Sequence, residues 1–266
     1  LKKKILIAVK TYPTISTKYS ELVCTAGLTE NGDWIRLYPI PFRKLDFDKQ
    51  YKKYQWIIAD IENNSSDPRP ESHKVLNWEK IELGDKIGTE NGTWTTRKEL
   101  VLNNIYTNRD SLVADARDPS KLVSLAVFKP TKLLGMTISK VDREWDPKKL
   151  AQFNQTDLFE TGPFKIVSKL PYKFKYVFKD DEGNISRLMI EDWEIGRLYW
   201  RMLEKYDGDE DKACADVKKK YWDDFAKTKD LYLFLGTTQA HHFTGTNPFL
   251  IIGTFHPKTA DPSLFD

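Results

Sequence analysis

Apolar and polar positions are arranged most tellingly between Glu21 and Arg43. Two apolar runs, Leu22–Leu28 and Trp34–Pro41, flank the polar segment Thr-Glu-Asn-Gly-Asp. Asn31-Gly32 is a strong turn signal because both residues tolerate positive φ, and the flanks are rich in β-branched and aromatic residues. The segment predicts a β-hairpin. Alternation along its return strand puts Trp34, Arg36 and Tyr38 on one face, with Phe42 and Arg43 just beyond.

The same reading predicts strands at 5–10, Gln55–Ile61 and Val75–Ile81, the last two separated by the Pro- and Asn-rich loop Asn63–Pro70. Short helices are expected over Thr95–Asn103 and Asp110–Arg117, with Asp110 and Ser111 as caps. Strands Leu122–Phe128 and Leu133–Val141 follow. A helix then opens at Pro147, capped by Asp146, and runs to Phe153. A second hairpin pairs Tyr172–Phe178 with Ile185–Ile190 around Asp181–Asn184. Helical spacing over Glu191–Tyr206 and Glu210–Ala226, broken at Asp207-Gly208-Asp209, precedes closing strands at Leu231–Leu235 and Phe249–Phe255. The expected fold class is α+β: β-rich, mostly antiparallel, with a helical pair in the C-terminal half. The boundary expected near Arg143–Pro147 gives a β domain over residues 1–145 and an α+β domain over 146–266.

Composition bounds the partners. The chain has 266 residues, 40% of them hydrophobic, enough for a sizeable core, and a net charge of only +3. That is well short of a strongly basic nucleic-acid binder, so any such binding must come from local clustering. Lys2–Lys4, Lys52-Lys53 and Lys218–Lys220 are small basic clusters, each by default a solvated face. Cys24 and Cys214 make no disulfide framework and read as buried thiols of a reducing compartment. No signal peptide is read, and no apolar run reaches the roughly 18–20 residues that span a bilayer. The expectation is a cytoplasmic protein with no membrane partner.

The segments CTAG at Cys24–Gly27 and WIRLYP at Trp34–Pro39 resemble a largely uncharacterised group of bacterial and archaeal proteins with paired OB-fold-like barrels, sometimes found in mobile or phage-defence loci. RPES at Arg69–Ser72, SLAVFKP at Ser124–Pro130, LPYKFKYVF at Leu170–Phe178, EDWEIG at Glu191–Gly196 and FLGT…FLIIGTFHPK between Phe234 and Lys258 extend the resemblance over most of the chain. It implies an OB-like barrel within residues 1–145 and carries no activity. Relatives often hold Cys and His between the equivalents of Phe178 and Glu191. Here that stretch, KDDEGNISRLMI, has neither, so the resemblance does not carry a zinc site over to that place.

Several places could carry chemistry. Trp34, Arg36, Tyr38 and Arg43 suit stacking on bases and tracking phosphates, as exposed OB strands do; the bland alternative is a core face with Arg36 paired to a carboxylate. Arg69, held in a Pro-flanked loop, could fork onto a phosphate or pair with Glu71 instead. Thr237 and Thr238, after Gly236, could offer hydroxyls and backbone N–H groups to an anion. Asp192 and Glu194 would favour a helix N-terminus; as residues two apart on a helix they are expected to point to different sides, which argues against a shared Mg²⁺. His241 and His242 are adjacent and make a poor chelate; two of His241, His242 and His256 with a carboxylate would be needed for a metal. There is no P-loop, dinucleotide fingerprint, serine-hydrolase elbow or H-E-x-x-H motif. No metal or cofactor is expected, save Mg²⁺ if the protein is an enzyme.

The leading expectation is a nucleic-acid-binding (DNA or RNA) recognition module or sensor of phage (antiviral) defence or nucleic-acid modification. One alternative is a metal-dependent, nuclease-like hydrolase acting on nucleic acid or a nucleotide. Another is a protein-interaction subunit with a partner from the same locus.

Overall fold

The computed structural model describes residues 1–16, 20–148, 150–151 and 167–259. The first strands are β1 (Lys2–Lys10), β2 (Thr14–Ser16), β3 (Ser20–Thr29) and β4 (Trp34–Ile40), followed by β5 (Gln55–Asn63), β6 (Ser72–Val75) and β7 (Glu82–Lys86). The hairpin expected at Asn31-Gly32 joins β3 to β4, and there only Gly32 takes positive φ, at +82°. Hydrogen bonding runs β1-β3-β4-β6-β5 and returns from β5 to β1, closing a five-stranded barrel. Counting only barrel strands, the order is 1-2-3-5-4-1, with β4 and β6 parallel and the other pairs antiparallel. This is the OB-like barrel expected. β6 starts at Ser72 rather than Val75, because the chain after Val75 turns through Trp78–Lys80 before β7 leaves on the outside of β5.

Alternation sorts the barrel's side chains. Ile5, Ile7, Ile35, Leu37, Ile57 and Ile61 fill the interior. Leu6, Ala8, Ala26, Leu28 and Trp34 point outward, and register places Leu6, Leu28 and Trp34 in one row across β1, β3 and β4. That outer face is covered by the rest of the chain.

The second half holds α1 (Thr95–Val101), β8 (Ile105–Tyr106), α2 (Arg109–Arg117), β9 (Leu125–Phe128) and β10 (Lys132–Lys140). Then come β11 (Tyr172–Lys179), β12 (Ile185–Met189), α3 (Trp193–Lys205), α4 (Glu210–Lys218), β13 (Tyr232–Thr237) and β14 (Phe249–Phe255). α4 runs on as wider, π-type turns over Lys219–Ala226. Asn108, not Asp110 or Ser111, caps α2 by accepting from Ser111 N at 2.9 Å. Asp146 accepts from Lys148 N at 2.8 Å at the helix opening at Pro147. The end of that helix, expected at Phe153, lies outside the described residues.

The sheet β14-β13-β9-β8 is buried on both faces, which explains why its strands read as near-continuous apolar runs. Phe234, Leu125, Val127 and Ile252 meet the barrel. Leu233, Leu235, Ala126 and Phe128 meet α3, α4 and the β10-β11-β12 sheet. β8 and β9, which precede residue 145, pair within the C-terminal sheet. Ile195 and Tyr199, one turn apart on α3, are fully buried in this second core, with Leu198, Met202 and Leu203 partly buried against it. Trp193 differs: it packs edge-on against Phe42 of the barrel, centroids 5.5 Å apart.

Candidate functional site: a basic, tryptophan-lined cleft

The residues expected to form an open nucleic-acid face sit mostly inside. OB barrels commonly bind strands across the second and third barrel strands and the loop before the fifth. Here that surface is the one packed beneath β9 and β13. Trp34 meets Phe234 edge-on, centroids 5.6 Å apart. Arg36 is 2% exposed. Its Nη1 donates to Ser72 Oγ (3.1 Å) and Ser124 Oγ (2.8 Å), and its Nη2 to Ser124 O (3.1 Å). Glu71 accepts from Ser124 N and Oγ at 2.9 and 2.8 Å. Arg69 forks onto Asp67 rather than Glu71, with Nε–Oδ1 2.8 Å and Nη2–Oδ2 2.5 Å, and its Nη1 donates to Thr237 O at 2.5 Å. Thr237 Oγ1 bonds His242 Nδ1 at 2.9 Å, and the Thr238 hydroxyl beside it is buried.

Arg36, Arg69, Glu71 and Thr237 are thus brought together, but as a buried clasp between the barrel and the C-terminal sheet. The Arg36 guanidinium, expected at a phosphate, is engaged by Ser72 of the barrel and Ser124 of the second half of the chain. Tyr38 is half-buried. Arg43 pairs with the buried Glu21 at 2.5 Å, and burial, opposed by Arg43, pushes the Glu21 carboxyl upward.

A large open concavity lies elsewhere. A cleft of about 980 Å³ separates one end of the barrel from α3 and the turns that continue α4. Lys10, Lys53, Tyr54, Asp192 and Glu194 line it from β1, the entry to β5 and the start of α3. Trp94, Arg97 and His256 line it from α1 and the end of β14, and Trp200, Arg201, Lys220 and Phe225 from the helical side. A second hollow of about 760 Å³ shares Lys10, Lys52, Lys86, Trp193 and Arg197 with it. That hollow extends the groove to Arg43 and to Phe47, which is 92% exposed.

Charge is concentrated here. The large cleft is lined by eight Lys or Arg side chains against Asp192, Glu194 and Glu204, an excess of five, more than the +3 of the whole chain. Lys52, Lys86, Arg197 and Arg201 are exposed and make no ion pair among the described residues, unlike Lys2, Lys4 or Lys121, which are paired. Lys53 Nζ lies 3.1 Å from both oxygens of Asp192 and 2.6 Å from Glu194. Burial works against the Lys53 charge, but these two carboxylates outweigh it and hold the ammonium above its usual range. Burial and the neighbouring Glu194 push Asp192 up, while Lys53 outweighs burial at Glu194 and holds it low. Contrary to the helix-spacing expectation, both carboxylates reach one ammonium, because Asp192 is the extended N-cap residue and not part of the helix.

Lys10 Nζ donates to Tyr51 O at 3.2 Å and sits 4.3 Å above Phe42 and 5.4 Å from Trp193; burial pulls it down to about 8. His256 stacks on Phe225 with centroids 3.5 Å apart, and burial holds it at about 4, so it is neutral at neutral pH. His241 is exposed, His242 is buried against Thr237 and His256 lies in the cleft, so the three histidines are not gathered. No group of three or more His, Cys, Asp or Glu able to hold a metal occurs among the described residues. No helix among the described residues is long and apolar enough to cross a membrane.

Sequence reasoning flagged Lys52-Lys53, Lys218–Lys220 and Asp192/Glu194 singly but missed that Lys52, Lys53, Lys220, Asp192 and Glu194 share one cleft. Trp94, Arg97 and Trp200 went unremarked, although three tryptophans lining one concavity suit the stacking of flat ligands.

Two adjacent family models span the chain. Residues 1–103 match "Domain of unknown function (DUF8758)" and residues 106–266 match "Domain of unknown function (DUF8757)". No curated protein matches the chain. A solved structure of a murine DNA-binding protein bound with double-stranded DNA aligns over 98% of this chain and 97% of its own, at 11% identity and a TM-score of 0.32. A likeness this low carries no argument about this chain.

Proposed function

The chain belongs to the family of the domain of unknown function DUF8757, which brings no activity with it, and we propose from the cleft itself that the protein binds nucleic acid. The observation that carries the reading is the set of four exposed cations, Lys52, Lys86, Arg197 and Arg201, which make no ion pair among the described residues and border a cleft lined by tryptophans. Cations left without carboxylate partners are available to phosphates, and aromatic rings between them are available to bases. The contact surface is this groove, with Arg43 at the end of its second hollow.

Each neutralised phosphate releases a counterion, adding about 0.7 to the logarithmic salt slope on single strands and about 0.9 on duplex. Four rim contacts correspond to a slope of roughly −3 to −4. The test is fluorescence anisotropy with labelled single- and double-stranded DNA and RNA across a salt series, with and without Mg²⁺, followed by a gel for cleavage. Lys86→Ala with Arg201→Ala should flatten the slope by about 2. A slope near zero, or one untouched by the double variant, overturns the proposal, and Mg²⁺-dependent cleavage replaces it with the hydrolase reading. A place in phage defence or nucleic-acid modification is supported by the motif resemblance alone, and is tested by phage plating on cells with and without the protein.

A further inference from the structure

The cleft has a rim and an interior of different chemistry. Its rim is exposed and cationic; inside stand the rings of Tyr54 and Trp94, centroids 5.7 Å apart, with the Arg97 guanidinium 4.0 Å from the first and 4.8 Å from the second. Both Tyr54 and Trp94 adopt left-handed backbone conformations, with φ of +58° and +57°. Large aromatic residues rarely take that region, and it costs on the order of 1–3 kcal/mol each. Two such residues in contact, both lining one cleft, mark a place where ring position is held against local preference.

The Tyr54 hydroxyl supplies an independent observation. Tyr54 is 5% exposed, it lines the cleft, and its oxygen has no hydrogen-bond partner among the described residues. A buried polar atom without a partner is destabilising, and a ligand group in the cleft would satisfy it. Nearby, Glu194 keeps 47% of its side chain exposed while pairing with Lys53, which leaves a carboxylate oxygen able to accept from a ligand N–H. His256, 4.8 Å from Trp94, presents a neutral ring. A cleft of about 980 Å³ is in the size range of small-molecule sites and has room for a nucleotide.

The geometry points to the interior of the cleft as a receptor for a single unstacked nucleobase carrying a phosphate, supplied either by a free nucleotide or by a nucleotide lifted out of its strand. This rests on the nucleic-acid reading of the rim. The base lies against Trp94, its N–H groups meet Glu194 and the Tyr54 hydroxyl, and its phosphate meets the rim lysines.

The test uses the full chain. Calorimetric titrations compare nucleoside 5′-monophosphates with ribose 5-phosphate, which has the phosphate but no base. Matched and mismatched duplexes of one sequence form a second arm. Monophosphates should bind at least about tenfold tighter than ribose 5-phosphate, because stacking one base contributes about 1–3 kcal/mol. Tyr54→Phe removes only the hydroxyl. It should leave the urea midpoint unchanged or raised while weakening the monophosphate by roughly three- to tenfold, a combination that a purely structural role does not produce. Tighter binding of the mismatched duplex assigns the base to a strand, since an unpaired base costs less to extrude; equal binding of the two duplexes assigns it to a free nucleotide. If oligonucleotides bind with a steep salt slope while monophosphate and ribose 5-phosphate are indistinguishable, the receptor is overturned and the rim reading stands. If monophosphates bind and oligonucleotides do not, the rim reading falls and the receptor stands. An unchanged monophosphate affinity in Tyr54→Phe overturns the receptor as described.

Discussion

Replacing Arg36 by alanine separates the two uses that its strand could serve. The guanidinium is buried and donates three hydrogen bonds, at 2.8, 3.1 and 3.1 Å, to Ser72 at the start of β6 and to Ser124 just before β9. Hydrogen bonds from a charged group contribute about 1.5–3 kcal/mol each, roughly 5–9 kcal/mol gross. Desolvating the ion takes back several of these, since burial itself, the largest influence, pulls the Arg36 guanidinium below its usual range. Removing one member of a buried ionic network costs about 3–5 kcal/mol, and that is the loss expected for Arg36→Ala in urea unfolding. Arg36→Met, which keeps the bulk and leaves Glu71 its two bonds to Ser124, should lose less. Anisotropy on the folded fraction of either variant should return the parental oligonucleotide affinity. A stability loss under about 1 kcal/mol, within the range of surface substitutions and their scatter, would refute the clasp. So would a well-folded Arg36→Met protein that has lost tenfold in binding, because the face would then be a ligand surface after all.

Lys10 should impose a pH dependence on anion binding. Its amine is charged below about 8 and neutral above, so affinity for a strand should fall as the pH rises through 8, and Lys10→Met should remove that step. Its effect on stability has the opposite sense, because the penalty of the buried charge disappears as the pH rises from 8 towards 10.5, which urea midpoints along that range measure. His256 titrates at about 4 against 6.5 unfolded. Its contribution is complete above pH 6.5 and lost as the pH falls through 4, at most about 3 kcal/mol, and His256→Gln should flatten that acid limb of the stability profile; an unchanged limb rejects the assignment. Gly196→Ala would place a Cβ 2.1 Å from the Tyr12 ring, so α3 must shift or Tyr12 must leave its bond to Trp200, at about 1–3 kcal/mol. Thermal unfolding followed by tryptophan fluorescence reads this, and an unchanged midpoint contradicts the packing described.

Local pattern carried the elements and stopped at their assembly. Asn31-Gly32, Asp181–Asn184 and the helical spacing from Trp193 onward each specify a turn or a period, so both hairpins and both long helices were legible. What covers a strand is not local information. Trp34, Arg36 and Tyr38 alternate as an open OB face would, and alternation is the same whether water or a second sheet lies opposite. The strands ahead of the boundary expected at 145 are silent about their partners for a related reason. LAVF and KLLGMTISK carry no label for the sheet they join, and β9 is claimed by β13, more than 100 residues further on. The cleft was the least legible part, because its cations and rings come from β1, β5, α1, α3 and β14. Asp192 misled because a capping residue obeys none of the helix's angular rules.

The outer face of the barrel ties the thermodynamics of the chain together. Leu6, Leu28, Trp34 and Tyr54 are barrel residues whose apolar neighbours, Val127, Phe234, Ile252 and Phe255, belong to the other half. At about 1.5–3 kcal/mol for each large side chain removed from water, the four correspond to roughly 6–12 kcal/mol, which is comparable with the whole stability of an ordinary domain. Neither half can melt while the other stays native. The two matched segments are units of sequence, but the molecule is one cooperative unit, whose free energy of opening is shared between halves. A cleft framed by both halves is therefore as durable as the global fold, and partial unfolding offers no inexpensive way to close it.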